Sequence, residues 1–147
     1  TINLINLRKI FIASDHAGFN LKEVIKKYLL KKRLTFQDLG PENDKSVDYP
    51  LYAHNVAKKV KVNKNNVGIL ICGSGTGMNI TANKHKNIRA AQCFNLKSTK
   101  LSRLHNDANI ITLGSRLISK KNALSFIGIF LKTKFEGGRH SKRIRKI

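Results

Sequence analysis

Four apolar-to-small residues, Gly68 to Ile71, run into Cys72, and the chain then passes through Gly73, Ser74, Gly75, Thr76 and Gly77 before a helix-like segment; the whole stretch reads "GILICGSGTGMNITANK", residues 68–84. Glycines let backbone N–H groups converge, and the start of a helix adds partial positive charge, so such a loop suits an anion. A thiol facing those amides is well placed to work as a thiolate base. The alternative is a buried structural cysteine, the usual state of a free one, and that is the reading given to Cys93 in "AAQCF". Two nucleotide motifs are excluded. Met78 stands where the third glycine of the dinucleotide fingerprint belongs, Cys93, Phe94 and Asn95 stand where its acidic residue would be, and no Lys-Ser/Thr pair follows the glycines.

Other chemistry-bearing residues sit in short segments. Asp15 and His16 follow the first strand-like run, and Ser115 and Arg116 follow the last. "HNDAN", residues 105–109, offers His105 and an amide or carboxylate, so an acyl-enzyme cysteine hydrolase stays open on residue types alone. Arg139, His140 and Arg143 could clamp a phosphate, arginine being suited to forked contacts with its oxygens. His54 and His85 lie on lysine-bearing segments and read as solvent-facing. No His/Asp/Glu pair stands at ligand spacing on one helix, so no metal site is expected.

The elements that must position these residues alternate. "KIFIAS" (9–14), "LTFQDLG" (34–40), "VGILIC" (67–72), "IRAAQCF" (88–94) and "NIITLG" (109–114) read as strands. Between them, "NLKEVIKKYLLKK" (20–32) places Leu21, Val24, Ile25, Tyr28 and Leu29 on one helical face. Asp48 reads as an N-cap before Pro50 and "LYAHNVAKKVK" (51–61), and residues 95–105 and 122–133 fill the remaining helical slots. Repeated βαβ units imply a three-layer α/β/α sandwich with a five-stranded parallel, Rossmann-like sheet. Ligands in such folds bind beyond the carboxyl ends of the strands, which is where Asp15, His16, Cys72, Ser115 and Arg116 fall.

At 147 residues the chain is expected to form one domain, with 136–147 a basic tail whose default state is a solvated terminus. The opening stretch, "TINLINLRKIFIASDHAG", reads as a first strand and not a cleaved leader. No apolar run is long enough to span a bilayer, and two cysteines 21 residues apart give neither a zinc spacing nor a redox pair, so a reducing, cytoplasmic setting is expected. The net charge of +21 raises a nucleic-acid reading. Against it, the lysines are spread over every segment, aromatics are sparse, and Lys, Asn and Ile are the residues of AT-rich codons.

Taken in order, "SDHAGFNLKEVIKKYL" (14–29), "DLG" (38–40), "VDYPLYA" (47–53), the Cys72 loop, "IRAA" (88–91), "SRLHNDANIITLGSR" (102–116) and "EGGRH" (136–140) resemble the type B ribose-5-phosphate isomerases, a family that includes galactose-6-phosphate and allose-6-phosphate isomerases. The resemblance implies a cofactor-free and metal-free interconversion of ribose 5-phosphate and ribulose 5-phosphate through an enediolate, with six-carbon sugar phosphates as the alternative substrates. It also implies roles. Cys72 is the base, Ser74 relays the hydroxyl proton, and the amides of Gly73, Gly75, Thr76 and Gly77 with Asn106 hold the enediolate oxygens. His105 opens the furanose ring with help from Asp15. His16, Arg139 and Arg143 bind phosphate, joined by Arg116, and Tyr49 lines the sugar pocket. The resemblance further implies a homodimer, or a tetramer, with sites shared between subunits, which makes the basic tail a working part and not a loose end. One branch of the family has a glycine in place of this cysteine and a glutamate base at the position of Met78; retention of Cys72 places this chain with the cysteine branch.

Overall fold

A computed structural model describes residues 8–147; residues 1–7 of the opening stretch lie outside the described residues. Five strands, β1 (Lys9–Ser14), β2 (Phe36–Asp38), β3 (Asn66–Cys72), β4 (Ala90–Gln92) and β5 (Ile110–Gly114), form one parallel sheet in the order β2-β1-β3-β5-β4. The helices are α1 (Phe19–Lys31), α2 (Tyr49–Val60), α3 (Thr76–Ala82), α4 (Leu96–Leu104), α5 (Lys120–Lys132) and α6 (Arg139–Ile144).

Strand alternation divides the core between the two faces of the sheet. Ile10, Ile12, Val67, Ile69 and Ile71 join Leu21, Ile25 and Leu29 of α1 and Phe126, Ile127 and Phe130 of α5. Phe11, Ala13, Leu70 and Cys72 face the other way, against Val56, Ala57 and Val60 of α2 and Met78 and Ala82 of α3. The result is the expected three-layer sandwich. Ile69 and Phe130 are fully buried, and truncating either to alanine costs about 2–5 kcal/mol.

The central strands agree closely with the sequence reading, whereas the edge strands β2 and β4 are three residues each, shorter than the segments 34–40 and 88–94. An edge strand pairs on one side only, so its ends are released sooner. Cys93 therefore lies just beyond β4, buried in the core as expected, with its amide still donating to Thr112 O at 3.1 Å. Asp48 holds an extended cap conformation before α2, but its side chain makes no capping hydrogen bond. The tail departs most from the solvated default. Gly137 and Gly138 take positive φ of 70° and 55°, the chain turns, and α6 forms with His140 buried.

Because β2 and β3 lie on opposite sides of β1, the sheet has a switch point between β1 and β3. The carboxyl ends of those strands are where this fold class opens a crevice.

Candidate active site

The carboxyl edge carries the cysteine loop. Gly75 adopts φ +81°, a left-handed conformation that a side chain would strain, and an added Cβ there would come within 3.0 Å of the Leu113 backbone. That turn aims the Gly75 N–H at Cys72 Sγ, 3.1 Å away. Ser74 Oγ accepts from Thr76 N at 3.3 Å, and both side chains are exposed at the rim. Gln92 of β4 donates through Nε2 to Ser74 O at 2.7 Å and to Thr76 Oγ1 at 3.0 Å, fastening the loop from the side. A single polar residue at the end of "AAQ" was the available signal for Gln92.

Neighbouring strand ends add to this edge. Asp15 N donates to Ile71 O, and the Asp15 carboxylate accepts from Gly18 N at 3.0 Å, so the buried acid is committed to the turn that starts α1. His16 Nδ1 accepts from Val47 N at 3.2 Å, which leaves Nε2 carrying the ring proton and free to donate. Ser115 N and Arg116 N donate to Cys72 O and Gly73 O, and the Arg116 guanidinium lies against Gly73, where an added Cβ would be 3.0 Å from it. The Tyr49 ring lies so close to Gly77 that a Cβ there would be 2.6 Å from Tyr49 Cζ. Cys72, Ser74, the loop amides, Asp15, His16, Tyr49 and Arg116 thus form one group.

His105, Asn106, Arg139 and Arg143 form another, at the opposite edge. A helix returning between parallel strands begins at the carboxyl edge and ends at the amino edge. His105 is the C-cap of α4 and Asn106 follows it, before β5 begins. Register pairs Cys72 with Gly114, at the far end of β5 from Ile110, so at least about 13 Å of strand separates the two groups. Arg89, which precedes β4, reaches the same end and donates through Nε to Asn106 O at 3.1 Å. The tail docks there too, Glu136 N donating to Leu104 O at 3.0 Å. Within one chain, therefore, Asp15 and Arg116 stand at the other edge of the sheet from His105, Arg139 and Arg143.

At that amino edge the His105 and His140 rings stack, with centroids 4.3 Å apart and planes 17° from parallel. Burial, then electrostatic repulsion from His105 and Arg139, hold His140 below the ordinary histidine range. A cleft of about 420 Å³ opens between His105, Asn106, His140, Arg143, Ile144 and Ile147. A larger cleft of about 710 Å³, lined by Tyr28, Leu124, Gly128, Ile129 and lysines, contains none of the candidate residues.

One expectation requires correction. His54 and His85 are half-buried and bonded to each other, Nδ1 to Nε2 at 2.6 Å, because the turn after α3 folds back onto α2; burial and then His54 lower the pKa of His85. Glu136 and His140, four residues apart across the start of α6, meet His105 so that one donor atom from each lies within 4.8 Å of the others. Spacing within single helices could not find that cluster, since its members come from the end of α4, a loop and α6.

Comparison with known proteins gives the class to which this arrangement belongs. The Ribose/Galactose Isomerase family matches residues 10–147, and the chain belongs to that family. A solved ribose 5-phosphate isomerase from Thermotoga maritima superimposes with a TM-score of 0.91 at 49% identity, covering 95% of this chain and 96% of that one. The structure of ribose-5-phosphate isomerase B from Mycoplasma genitalium with bound ribulose-5-phosphate gives the same score at 45% identity, covering 94% and 92%. Ribose-5-phosphate isomerase B of Escherichia coli is 40% identical over 141 residues, 96% of this chain and 95% of that protein. No described helix is long and apolar enough to cross a membrane.

Proposed function

We infer that the chain is a ribose-5-phosphate isomerase, interconverting ribose 5-phosphate and ribulose 5-phosphate. The observation that carries this reading is the thiol of Cys72 at the end of β3, with the Gly75 N–H directed at its sulfur, on a fold shared with a relative that holds ribulose-5-phosphate. The six-carbon and nucleic-acid alternatives are not favoured by these relatives.

His105 takes the proton of the anomeric hydroxyl, the ring C–O bond breaks, and the imidazolium gives that proton to the departing ring oxygen, leaving the open aldehyde. Cys72 thiolate removes the C2 proton, and charge develops on the sugar oxygens as the enediolate forms. The amides of Gly73, Gly75, Thr76 and Gly77 and the side-chain amide of Asn106 hold those oxygens, the electrostatic contribution that is usually largest. Ser74 moves the hydroxyl proton from O2 to O1, and Cys72 returns its proton to C1. Tyr49 lines the sugar pocket, His16 Nε2–H and Arg116 stand ready on the same edge, and Arg139 and Arg143 grip phosphate from the other group. The overall charge of +21 favours the encounter with an anionic substrate.

The separation of the two groups supports a homodimer in which a second copy supplies His105, Asn106, Arg139 and Arg143 to the Cys72 loop. The tail belongs to the same domain and works in this second half-site. Both cysteines are free, which fits a reducing, cytoplasmic setting.

The test is ribulose 5-phosphate formation by purified protein without added metal, beside Cys72→Ala. Loss of a general base costs about 10²–10⁴-fold in turnover, with substrate binding retained. Full activity in the variant would overturn the assignment of Cys72, and no turnover by the intact protein would overturn the reaction.

A further inference from the structure

We propose that His105, Glu136 and His140 form a binding site for a divalent transition-metal ion, of which zinc is the natural probe, and that a bound ion holds the isomerase inactive. The inhibitory half of the proposal rests on the role given to His105 above; the binding half stands on geometry alone.

Three donor atoms converge where no single helix would bring them. His105 Nε2 lies 3.9 Å from Glu136 Oε2, and His140 Nε2 lies 4.0 Å from the same oxygen. A tetrahedral zinc ion with bonds of about 2.0–2.1 Å needs its ligand atoms about 3.4 Å apart. Because the two rings stack with planes 17° from parallel, His105, its side chain 38% accessible, must turn out of the stack to aim its lone pair at an ion held by His140, and Glu136, 56% accessible, closes onto the same ion. Two imidazoles and one carboxylate are the donor set of an open zinc site, which keeps a fourth position for water.

His140 supplies the independent observation. Its side chain is 6% accessible, and its Nε2 has no hydrogen-bond partner, one of two such atoms among the described residues. A buried polar nitrogen without a partner costs free energy, and this one faces the two donors that would share an ion with it. The cluster is also held from behind: the Glu136 amide is bonded to Leu104 O, and His140 N to Gly137 O at 3.1 Å. Arg139 and Arg143 flank the site and oppose a cation. Binding is accordingly expected in the micromolar range and not at the affinity of a structural zinc centre.

Coordination uses the lone pair on His105 Nε2. A metal-bound His105 cannot accept the anomeric proton, so ring opening of ribose 5-phosphate stops. Ribulose 5-phosphate has no furanose ring to open, and its conversion to the aldehyde form is spared that step. Zinc would thus slow the first direction more than the second.

The deciding experiment is calorimetric titration of the full chain with zinc in the absence of substrate, which keeps its outcome separate from whether the isomerase reading is right. One ion per chain is expected, weakened about tenfold or more in Glu136→Ala and in His140→Ala. The same affinity is expected in Cys72→Ala and His54→Ala, which remove the competing thiol and the other histidine pair. Absence of binding up to millimolar zinc, or binding insensitive to Glu136→Ala and His140→Ala, would overturn the site. If binding follows the prediction, equal inhibition of both reaction directions would overturn the role given to the bound ion.

Discussion

Cys72 and Arg139 differ in the kind of contribution they make, and kinetics can separate them. In the proposed mechanism Cys72 acts on a carbon-bound proton, so its removal is expected to be felt in turnover. Arg139, an exposed residue at the start of α6, is proposed to grip a phosphate that does not change during the reaction. Such an interaction is equal in ground and transition states, and its loss raises KM with little effect on kcat. Steady-state kinetics of Arg139→Ala should show that split; an unchanged KM would remove Arg139 from the site. His16 has its role narrowed by one hydrogen bond, since Val47 N occupies Nδ1 and leaves Nε2–H for a ligand.

Among the elements, the link between β2 and α2 is held by a buried lysine. Lys22, on α1, is fully buried, and its Nζ donates to both Asp38 oxygens at 2.9 and 3.1 Å and to Pro41 O at 2.6 Å. Lys26 adds a bond of 2.8 Å to Asp38. This network fixes the start of the segment that carries Val47 to His16 and leads into Tyr49. Burial alone would raise the pKa of Asp38, but the hydrogen bonds from Lys22, Lys26 and the Gly40 amide outweigh it and bring it below the ordinary carboxylate value. A carboxylate depressed on folding stabilises above its unfolded pKa of about 3.9, and that stability is lost as pH falls through the folded value. Asp38→Asn leaves the Lys22 charge buried beside a neutral amide, a loss of about 2–3 kcal/mol after allowance for partial exposure. Urea unfolding should show this gap between variant and parent at pH 7 and show it shrinking below about pH 4. A gap that does not change with pH would mean that the ion pair contributes nothing specific.

The same element shows what a sequence can and cannot disclose. Lys22 occupies a helix position beside Leu21 and gives no local sign of burial, because its partner Asp38 arrives from another strand. The β1, β3 and β5 strands were legible from their apolar runs, and the Cys72 loop from its glycines, since each is contiguous. The edge strands were over-extended because pairing on one side is a property of the sheet and not of the segment. The His105–His140 stack, the Glu136 cluster and the His54–His85 pair join residues brought together by helix packing over separations of 4 to 35 residues. The spacing of residues along one chain segment carries no record of such meetings.

At the scale of the whole molecule, the sheet is the decisive object. It keeps Cys72 at one edge and His105 at the other, so chemistry that needs both must draw them from different copies of the chain. That is the central claim, and it can be tested with two variants that are each inactive. Cys72→Ala and His105→Ala chains, co-expressed with different tags, yield a mixed dimer isolated by both tags. In that dimer one site lacks both residues and the other keeps both, so the account predicts about half the wild-type rate of ribulose 5-phosphate formation per dimer, while each parent homodimer remains inactive. A folded mixed dimer with no more activity than its parents would contradict it, placing Cys72 and His105 in sites that do not cooperate.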